Sequence, residues 1–239
     1  MEMVVDIGNS RTKMAIFSHG KLVKVYSAVN QLDASELEEI FAQNPSKGIV
    51  SSVKNDNENW MESFLNVSWI SLSDDLRFPF ENKYATPETL GKDRIALASA
   101  AVSRFSTRNV LVIDAGTCVT YDLVNQDGLY LGGAISPGLQ MRLTAMHKLT
   151  AKLPVVDIDE HVDLIGDSTK KCMQSGALHG LVAEINGTIE SYQARFEDLI
   201  VVLTGGDTNL LAPLVKSGIF ARQNFLLEGL HDILAYNTP

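Results

Sequence analysis

The chain has only two cysteines, Cys118 and Cys172, far apart and without Cys-x-x-Cys or Cys/His spacing. That argues against a disulfide framework or a zinc site and leaves two reduced thiols with packing roles. Positive charge is scarce as well: 20 Lys and Arg stand against 29 Asp and Glu, giving a formal net charge of −9 and a pI near 5.0. With no basic run to offset it, that balance argues against a phosphate-backbone binder, so no nucleic acid partner is expected. No apolar run is long enough for a bilayer, and the amino terminus lacks a basic segment followed by an apolar one. No membrane partner is expected, and the expected compartment is the cytoplasm. Linkers rich in Pro, Gly or Ser and low-complexity segments are missing too. What remains is an ordinary globular composition, 45% hydrophobic over 239 residues, enough for one large domain or two small ones that pack closely.

The chain does contain a repeat. "VVDIGNSRTKMAIFSHGKLV" from Val4 and "VIDAGTCVTYDLVNQDGLYL" from Val112 align at a constant offset of 108, which matches Asp6 with Asp114, Gly8 with Gly116, Thr12 with Thr120 and Gly20 with Gly128. In each copy an apolar strand ends in Asp-x-Gly, an alternating strand follows, and a Gly-centred turn leads to a third strand. Each half therefore begins as an antiparallel three-stranded meander.

The elements after each meander fit an α/β layout. "LDASELEEIFAQN" places Leu32, Leu37, Ile40 and Phe41 on one face behind a cap at Asp33 or Ser35, which predicts a surface helix. "GIVSSV" and "SWISL" read as strands and "ENWMESFLN" as an amphipathic helix. In the second half helical periodicity runs from about Thr169 to Phe196, "LIVVLTGG" is a strand ending in glycines, and "TNLLAPLVKSG" is a short helix. The inferred architecture is two α/β subdomains, residues 1–108 and 109–239, facing each other across a cleft.

A turn reading Asp-Ile-Gly-Asn-Ser suits a phosphate neighbourhood. Glycine admits close approach, and the neighbouring amides and hydroxyls can donate to phosphate oxygens. A carboxylate beside a polyphosphate is repulsive unless a cation lies between, so Asp6 and Asp114 make sense as ligands of Mg²⁺, directly or through water, or of an alkali cation. Arg11 or Lys13 would add positive charge. The bland alternative is a plain hairpin turn, where Asp, Gly and Asn are common; two copies at a fixed offset favour the ligand site.

The duplicated Asp-x-Gly hairpins and "LTGGDTNLL" resemble the acetate kinase, sugar kinase, Hsp70 and actin superfamily, whose two RNase H-like subdomains grip ATP. Within it the chain is most similar to type III pantothenate kinase, whose signatures occur in order: "DIGNSRTK" at Asp6, "YATPETLGKDR" ending at Arg94, "IDAGTCVTYD" at Ile113, "GGAISPGLQM" at Gly132, "STKKCMQSGALHG" at Ser168, "LTGGD" at Leu203 and "LLEGL" at Leu226. The resemblance implies ATP-dependent phosphorylation of pantothenate, the first step of coenzyme A synthesis. It also implies a duplicated RNase H-like fold around a nucleotide cleft.

On the matching positions the resemblance implies that Asp6, Ile7, Gly8, Asn9, Ser10, Arg11, Thr12 and Lys13 cradle the ATP phosphates, with Thr117, Gly205 and Gly206 at the nucleotide. Asp6 would serve Mg²⁺, possibly through water, and Asp114 a monovalent cation, K⁺ or NH₄⁺. Tyr84, Gly91, Lys92, Asp93, Arg94 and Thr169 would line the pantothenate site, with Asp93 as proton acceptor. A carboxylate suits that role, because the attacking alcohol sheds its proton during transfer. Arg94 suits an anion, either the pantothenate carboxylate or the transferring phosphoryl group. Family members are homodimers, so a homodimer is implied as well. Two departures from the family pattern stand out: Ser10 where Thr is common, which keeps the hydroxyl, and Cys118 where small residues are usual.

Several features carry plainer readings beside the functional ones. Lys92-Asp93-Arg94 also fits a solvated helix start. Gly132-Gly133 and Pro137-Gly138 can simply close a strand and start a helix, and Gly205-Gly206-Asp207 fits a turn with an N-cap. Gly176 and Gly180 cost helix propensity and point to close backbone approach, in the core or at a subunit contact. His147, His161, His179 and His231 lack ligand spacing, and Trp60 and Trp69 read as core or surface anchors. Two rival functions remain: a kinase of another small hydroxy compound, and a non-catalytic nucleotide-binding regulator of the same fold.

Overall fold

The computed structural model describes residues 1–8, 11–28, 33–52, 66–73, 75–159, 161–216 and 218–238. The expected phosphate residues Asn9 and Ser10, Leu32, Trp60 and most of the expected helix "ENWMESFLN" lie outside them. Contacts divide the chain into two units, residues 1–106 with 225–239 and residues 107–224.

The first unit carries β1 (Glu2–Ile7), β2 (Thr12–Ser18), β3 (Lys21–Ala28), α1 (Ala34–Ala42), β4 (Lys47–Ser52), β5 (Ser68–Ser71), the two-residue β6 (Glu81–Asn82), α2 (Lys92–Arg104) and, from the far end of the chain, α6 (Phe225–Asn237). Its sheet runs β3-β2-β1-β4-β5, with β1, β2 and β3 antiparallel and β4 and β5 parallel to β1. Alternation sorts the strand side chains onto two faces. Met3, Val5, Met14, Ile16 and Val50 join Ile40 of α1 and Tyr26 in one core. The capping box expected at Asp33 starts α1: Asp33 Oδ1 accepts from the Glu36 amide at 2.8 Å, and Glu36 Oε2 accepts from the Asp33 amide at 3.2 Å.

Helices α2 and α6 pack on each other and against β1 and β4. Their approach is close enough that a Cβ on Gly229 would stand 1.9 Å from the Ala96 carbonyl oxygen. Arg104 binds Glu228 Oε2 at 2.7 Å and also pairs with Asp232. These contacts assign α6 to the first unit, whereas the sequence boundary had given everything beyond residue 108 to the second.

The second unit carries β7 (Val110–Ala115), β8 (Cys118–Val124), β9 (Leu129–Pro137), α3 (Leu139–Lys148), α4 (Thr169–Gln193), β10 (Ile200–Thr204), α5 (Thr208–Leu211) and β11 (Ile219–Ala221). Its strands lie in the order β11-β10-β7-β8-β9, with β7, β8 and β9 antiparallel and β10 and β11 parallel to β7. Strand for strand, that order and those directions repeat the first unit. Leu111, Ile113, Tyr121, Val201 and Leu203 face Leu143 of α3 and Leu178, Leu181 and Ile185 of α4 in the core.

Three sequence expectations need correction here. The constant offset fails at the hairpin: Asp6 pairs with Lys13, but Asp114 pairs with Thr120, so the second turn is one residue shorter. Lys13, not Thr12, is thus the counterpart of Thr120. Helix α4 ends at Gln193 rather than Phe196. Helix α5 is a single short turn, because Pro213 has no N–H to continue the ladder.

Candidate active site

In the first unit the expected site residues gather where β1 ends and α2 begins. Asp6 is the penultimate residue of β1, with Lys13 opposite it on β2 and Ser51 opposite it on β4. Lys92 Nζ donates to the Ser52 carbonyl at 3.3 Å, which ties the start of α2 to the carboxyl end of β4. Gly91 precedes the helix, and a Cβ there would fall 2.4 Å from Asp93 Oδ1. Glycine therefore leaves room for the Asp93 carboxylate to fold back over the helix start, where it accepts from the Arg94 amide at 2.8 Å and where the helix dipole favours an anion.

Electrostatics links the two acids. Burial pushes the Asp6 carboxyl up to about 6; Lys13 lowers it and the Asp93 charge raises it further. A carboxylate held in such a place is stabilised by an added cation.

Arg94 departs from the solvated reading. It is 5% exposed, with its guanidinium 5.5 Å from the Tyr84 ring centroid. The Tyr84 amide in turn donates to Asn82 Oδ1 at 2.9 Å. Tyr84, Gly91, Lys92, Asp93 and Arg94 thus belong to one neighbourhood, with Arg94 aligned by an aromatic face.

The second unit holds the other group. Asp114 is the penultimate residue of β7, with Thr120 opposite on β8 and Thr204 opposite on β10. Each acid of the repeat therefore has a hydroxyl residue on its parallel neighbour, Ser51 for Asp6 and Thr204 for Asp114, which the sequence reading did not single out. Gly205 has φ +98°, and a Cβ there would meet the Ala115 carbonyl oxygen at 2.3 Å and Asp114 Oδ1 at 2.4 Å. Glycine is required at that position on both counts. The Asp207 amide donates to the Ala115 carbonyl at 3.0 Å and Thr208 Oγ1 to the Gly205 carbonyl at 2.8 Å, so the β10–α5 turn is fastened beside Asp114. Burial raises the Asp207 carboxyl above its ordinary value. Gly206 is exposed, and a Cβ there would meet nothing within 4 Å.

One described amide in each turn is already bonded. The Gly8 N–H donates to the Arg11 carbonyl at 3.0 Å and the Gly116 N–H to the Cys118 carbonyl at 2.9 Å. These two N–H groups are therefore already bonded within their own turns. Ile7, Gly8, Thr12 and Lys13 are partly buried, and Arg11 and Thr117 are exposed.

Thr169 opens α4 and is exposed. It lines a groove with Met146, Leu153, Ser168, Cys172 and Met173, and Asp114, Thr117 and Gly205 are not among the residues that line it. Gly133 serves strand packing, since a Cβ would collide with the Tyr121 carbonyl at 1.6 Å. Gly176, Gly180 and Gly187 face open space on the exposed side of α4, so packing within the described residues does not account for them. Both cysteines are free, and Cys172 is exposed rather than packed. His147 and His179 bond the carbonyls of Leu153 and Val162. Trp69 packs against the first unit's core. Among the described residues no three His, Cys, Asp or Glu side chains gather as a metal-binding group, and no helix is long and apolar enough to cross a membrane.

Comparison with known proteins completes the description. The family model for type III pantothenate kinase matches residues 2–191. A type III pantothenate kinase of Christiangramia forsetii is 46% identical over 242 residues, covering 99% of both chains, and one of Flavobacterium psychrophilum is 42% identical over 239 residues, again covering 99% of both. Among solved structures, a Campylobacter jejuni protein assigned to the Baf family of transcriptional activators matches with TM-score 0.65 at 21% identity, covering 98% of both chains. A ROK family glucokinase from Streptomyces griseus, solved with glucose and AMPPNP, matches with TM-score 0.53 at 10% identity, covering 98% of this chain and 99% of that one. At these identities the structural likeness speaks to fold alone, an α/β fold shared with both of these structures.

Proposed function

The chain belongs to the type III pantothenate kinase family, and on that premise we propose how its residues divide the work. It transfers the γ-phosphoryl group of ATP to pantothenate, the first step of coenzyme A biosynthesis. In our reading Asp93 receives the proton of the pantothenate hydroxyl as its oxygen bonds to the γ-phosphorus and the bond to the ADP oxygen breaks. The carboxylate has one oxygen on the Arg94 amide, which fixes its direction. Arg94, buried against Tyr84, pairs with an anion at the same place, the pantothenate carboxylate or the moving phosphoryl group.

Lys13 and Arg11 supply positive charge to the ATP phosphates, with Asp6, Ile7, Gly8, Asn9, Ser10 and Thr12 forming the rest of that turn. Thr117, Gly205 and Gly206 serve the nucleotide. The open space at Gly206 supports close approach by a ligand. The high pKa of Asp6 fits a residue meant to face Mg²⁺, directly or through water. Asp114, with Thr120 and Thr204 opposite it on the neighbouring strands, would hold a monovalent ion, K⁺ or NH₄⁺. When bound, such cations neutralise phosphate charge.

The repeated strand order supports a duplicated RNase H-like origin for the two units. A homodimer is supported by α4, where Gly176, Gly180, Ala183 and Gly187 form an exposed stripe at helical spacing. Exposed apolar side chains add to that support, Leu149 at 83%, Leu164 at 71% and Ile165 at 85%.

The observation that carries the chemistry is the Asp93 carboxylate beside buried Arg94, its charge reaching Asp6. The test is ADP release with ATP and a panel of pantothenate, glucose, N-acetylmannosamine and glycerol. Release only with pantothenate is expected; equal release with a sugar would point to a kinase of another hydroxy compound, and none with any acceptor to a nucleotide-binding regulator.

A further inference from the structure

We propose that Arg142 and Glu184 form a clamp that holds the Gly116–Thr117 turn in its nucleotide-binding shape. The proposal rests on the reading of Thr117 as a nucleotide contact and names the device that positions it.

The clamp begins with a backbone contact. The Gly138 N–H donates to the Thr117 carbonyl at 3.2 Å. Gly138 also lies so close to this turn that a Cβ would stand 2.1 Å from the Gly116 carbonyl oxygen and 2.5 Å from that of Thr117. Its φ of −69° suits any residue, so glycine is needed here for proximity and not for backbone freedom. Both carbonyls of the turn therefore lie against Gly138, so the position of the Pro137–Gly138 peptide bears directly on the turn.

Arg142 holds the peptide. Its Nε donates to the Pro137 carbonyl at 2.9 Å, and one terminal nitrogen donates to Ser136 Oγ at 3.0 Å while also pairing with Glu184. Glu184 accepts from the Tyr121 hydroxyl at 3.0 Å as well, which anchors the pair to β8. Burial raises the Glu184 carboxyl, but the bonds from Arg142, Ser136 and Tyr121 outweigh it and hold the group below its ordinary value. It is therefore ionised at neutral pH. Burial, then the Glu184 charge, raises Tyr121, so its hydroxyl keeps the proton it donates. The planar fork of a guanidinium reaches a carbonyl, a hydroxyl and a carboxylate at once, which an ammonium cannot match.

Helix energetics does not explain this arginine. It sits at the fourth position of α3, whose first turn has no acidic residue and whose amino end has no side-chain cap. A cation there opposes the helix dipole. The side chains are also shielded, 22% exposed for Arg142 and 31% for Glu184, so the pair is not a freely solvated surface bridge. What the arrangement does accomplish is to fix Pro137–Gly138 over the turn that carries Thr117.

Arg142→Met, Arg142→Lys and Glu184→Gln test the clamp. The readouts are the affinity for Mg·AMPPNP by calorimetry, the amide NMR shifts of Gly116, Thr117 and Gly138, and KM for pantothenate. In the wild type AMPPNP should move the Gly116 and Thr117 amides. Arg142→Met should weaken AMPPNP about tenfold, equivalent to ~1.4 kcal/mol, with pantothenate KM within about twofold. Arg142→Lys and Glu184→Gln should fall between, and they decide the matter if Arg142→Met does not fold. If the wild-type turn amides shift but folded variants bind AMPPNP as the wild type does, the pair is only a structural brace and the clamp is wrong. If the wild-type amides do not shift, the nucleotide reading of Thr117 fails and the clamp falls with it.

Discussion

Asp93, in the first turn of α2, stands close enough to Asp6, near the end of β1, for its charge to oppose ionisation of the Asp6 carboxyl. Two acids with no sequence proximity are thus coupled because the Lys92 contact to Ser52 sets the helix start at the strand ends. Burial together with this repulsion disfavours the charged form of Asp6, which is what the proposed roles of Asp6 as a cation ligand and Asp93 as a proton acceptor would call for.

Burial of Asp6, with the Asp93 charge adding to it, has a measurable price in stability. With a native pKa near 6 against 3.8 unfolded, the folded state holds the Asp6 proton more tightly, so its contribution is present below pH 3.8 and lost as pH rises through 6. In metal-free buffer Asp6→Asn should therefore be more stable than the wild type at pH 7.5, by on the order of 3 kcal/mol. The gain should shrink toward zero as pH falls to 4. Calorimetric unfolding across this range checks it, and a pH-independent difference would remove the burial explanation.

Replacing K⁺ by Na⁺ or Li⁺ should depress turnover of the wild type. Asp114→Asn should be slow in all three salts and no longer distinguish them. Initial rates at fixed ionic strength decide the point, and an Asp114→Asn enzyme that still prefers K⁺ would move the cation elsewhere.

Two adjacent glycines should behave oppositely. Gly205→Ala forces a Cβ into the Ala115 carbonyl and the Asp114 carboxylate at a φ of +98°, so it should lose about 2 kcal/mol or more in denaturant unfolding. Gly206→Ala meets open space and should stay within about 0.5 kcal/mol of the wild type. Its effect should appear instead as a raised KM for ATP.

On α4, Gly180→Trp places a large ring on an exposed face where a Cβ would meet no described residue beyond the adjoining turns of its own helix within 4 Å. The helix should remain folded by circular dichroism while light scattering reports a monomer. A dimer that persists unchanged would remove α4 from the subunit contact.

Much of this was legible locally. The Asp-x-Gly repeat gave both meanders, Asp33 its helix cap, and the hydrophobic periodicity most of α4, because these follow from the order of neighbouring residues. The repeat and the chemistry of its turns singled out Asp6 and Asp114, and motif resemblance added Asp93. What the sequence hid depends on distant contacts. The packing of α6 on α2 is set by Gly229 meeting Ala96, 133 residues apart, and no local pattern announces it. The one-residue difference between the two hairpins lies in strand register, which a gapless alignment cannot express. Burial of Arg94 against Tyr84 and the hold of Arg142 on Pro137 likewise needed coordinates.

The most direct measurement is pantothenate-dependent ADP release by wild type and Asp93→Asn at saturating ATP, with AMPPNP affinity measured on both. Wild type should release ADP only when pantothenate is present, and Asp93→Asn should fall by about 10²–10⁴-fold in turnover while binding AMPPNP as before. Turnover by Asp93→Asn equal to the wild type would contradict the assignment of Asp93 as the group that takes the alcohol's proton.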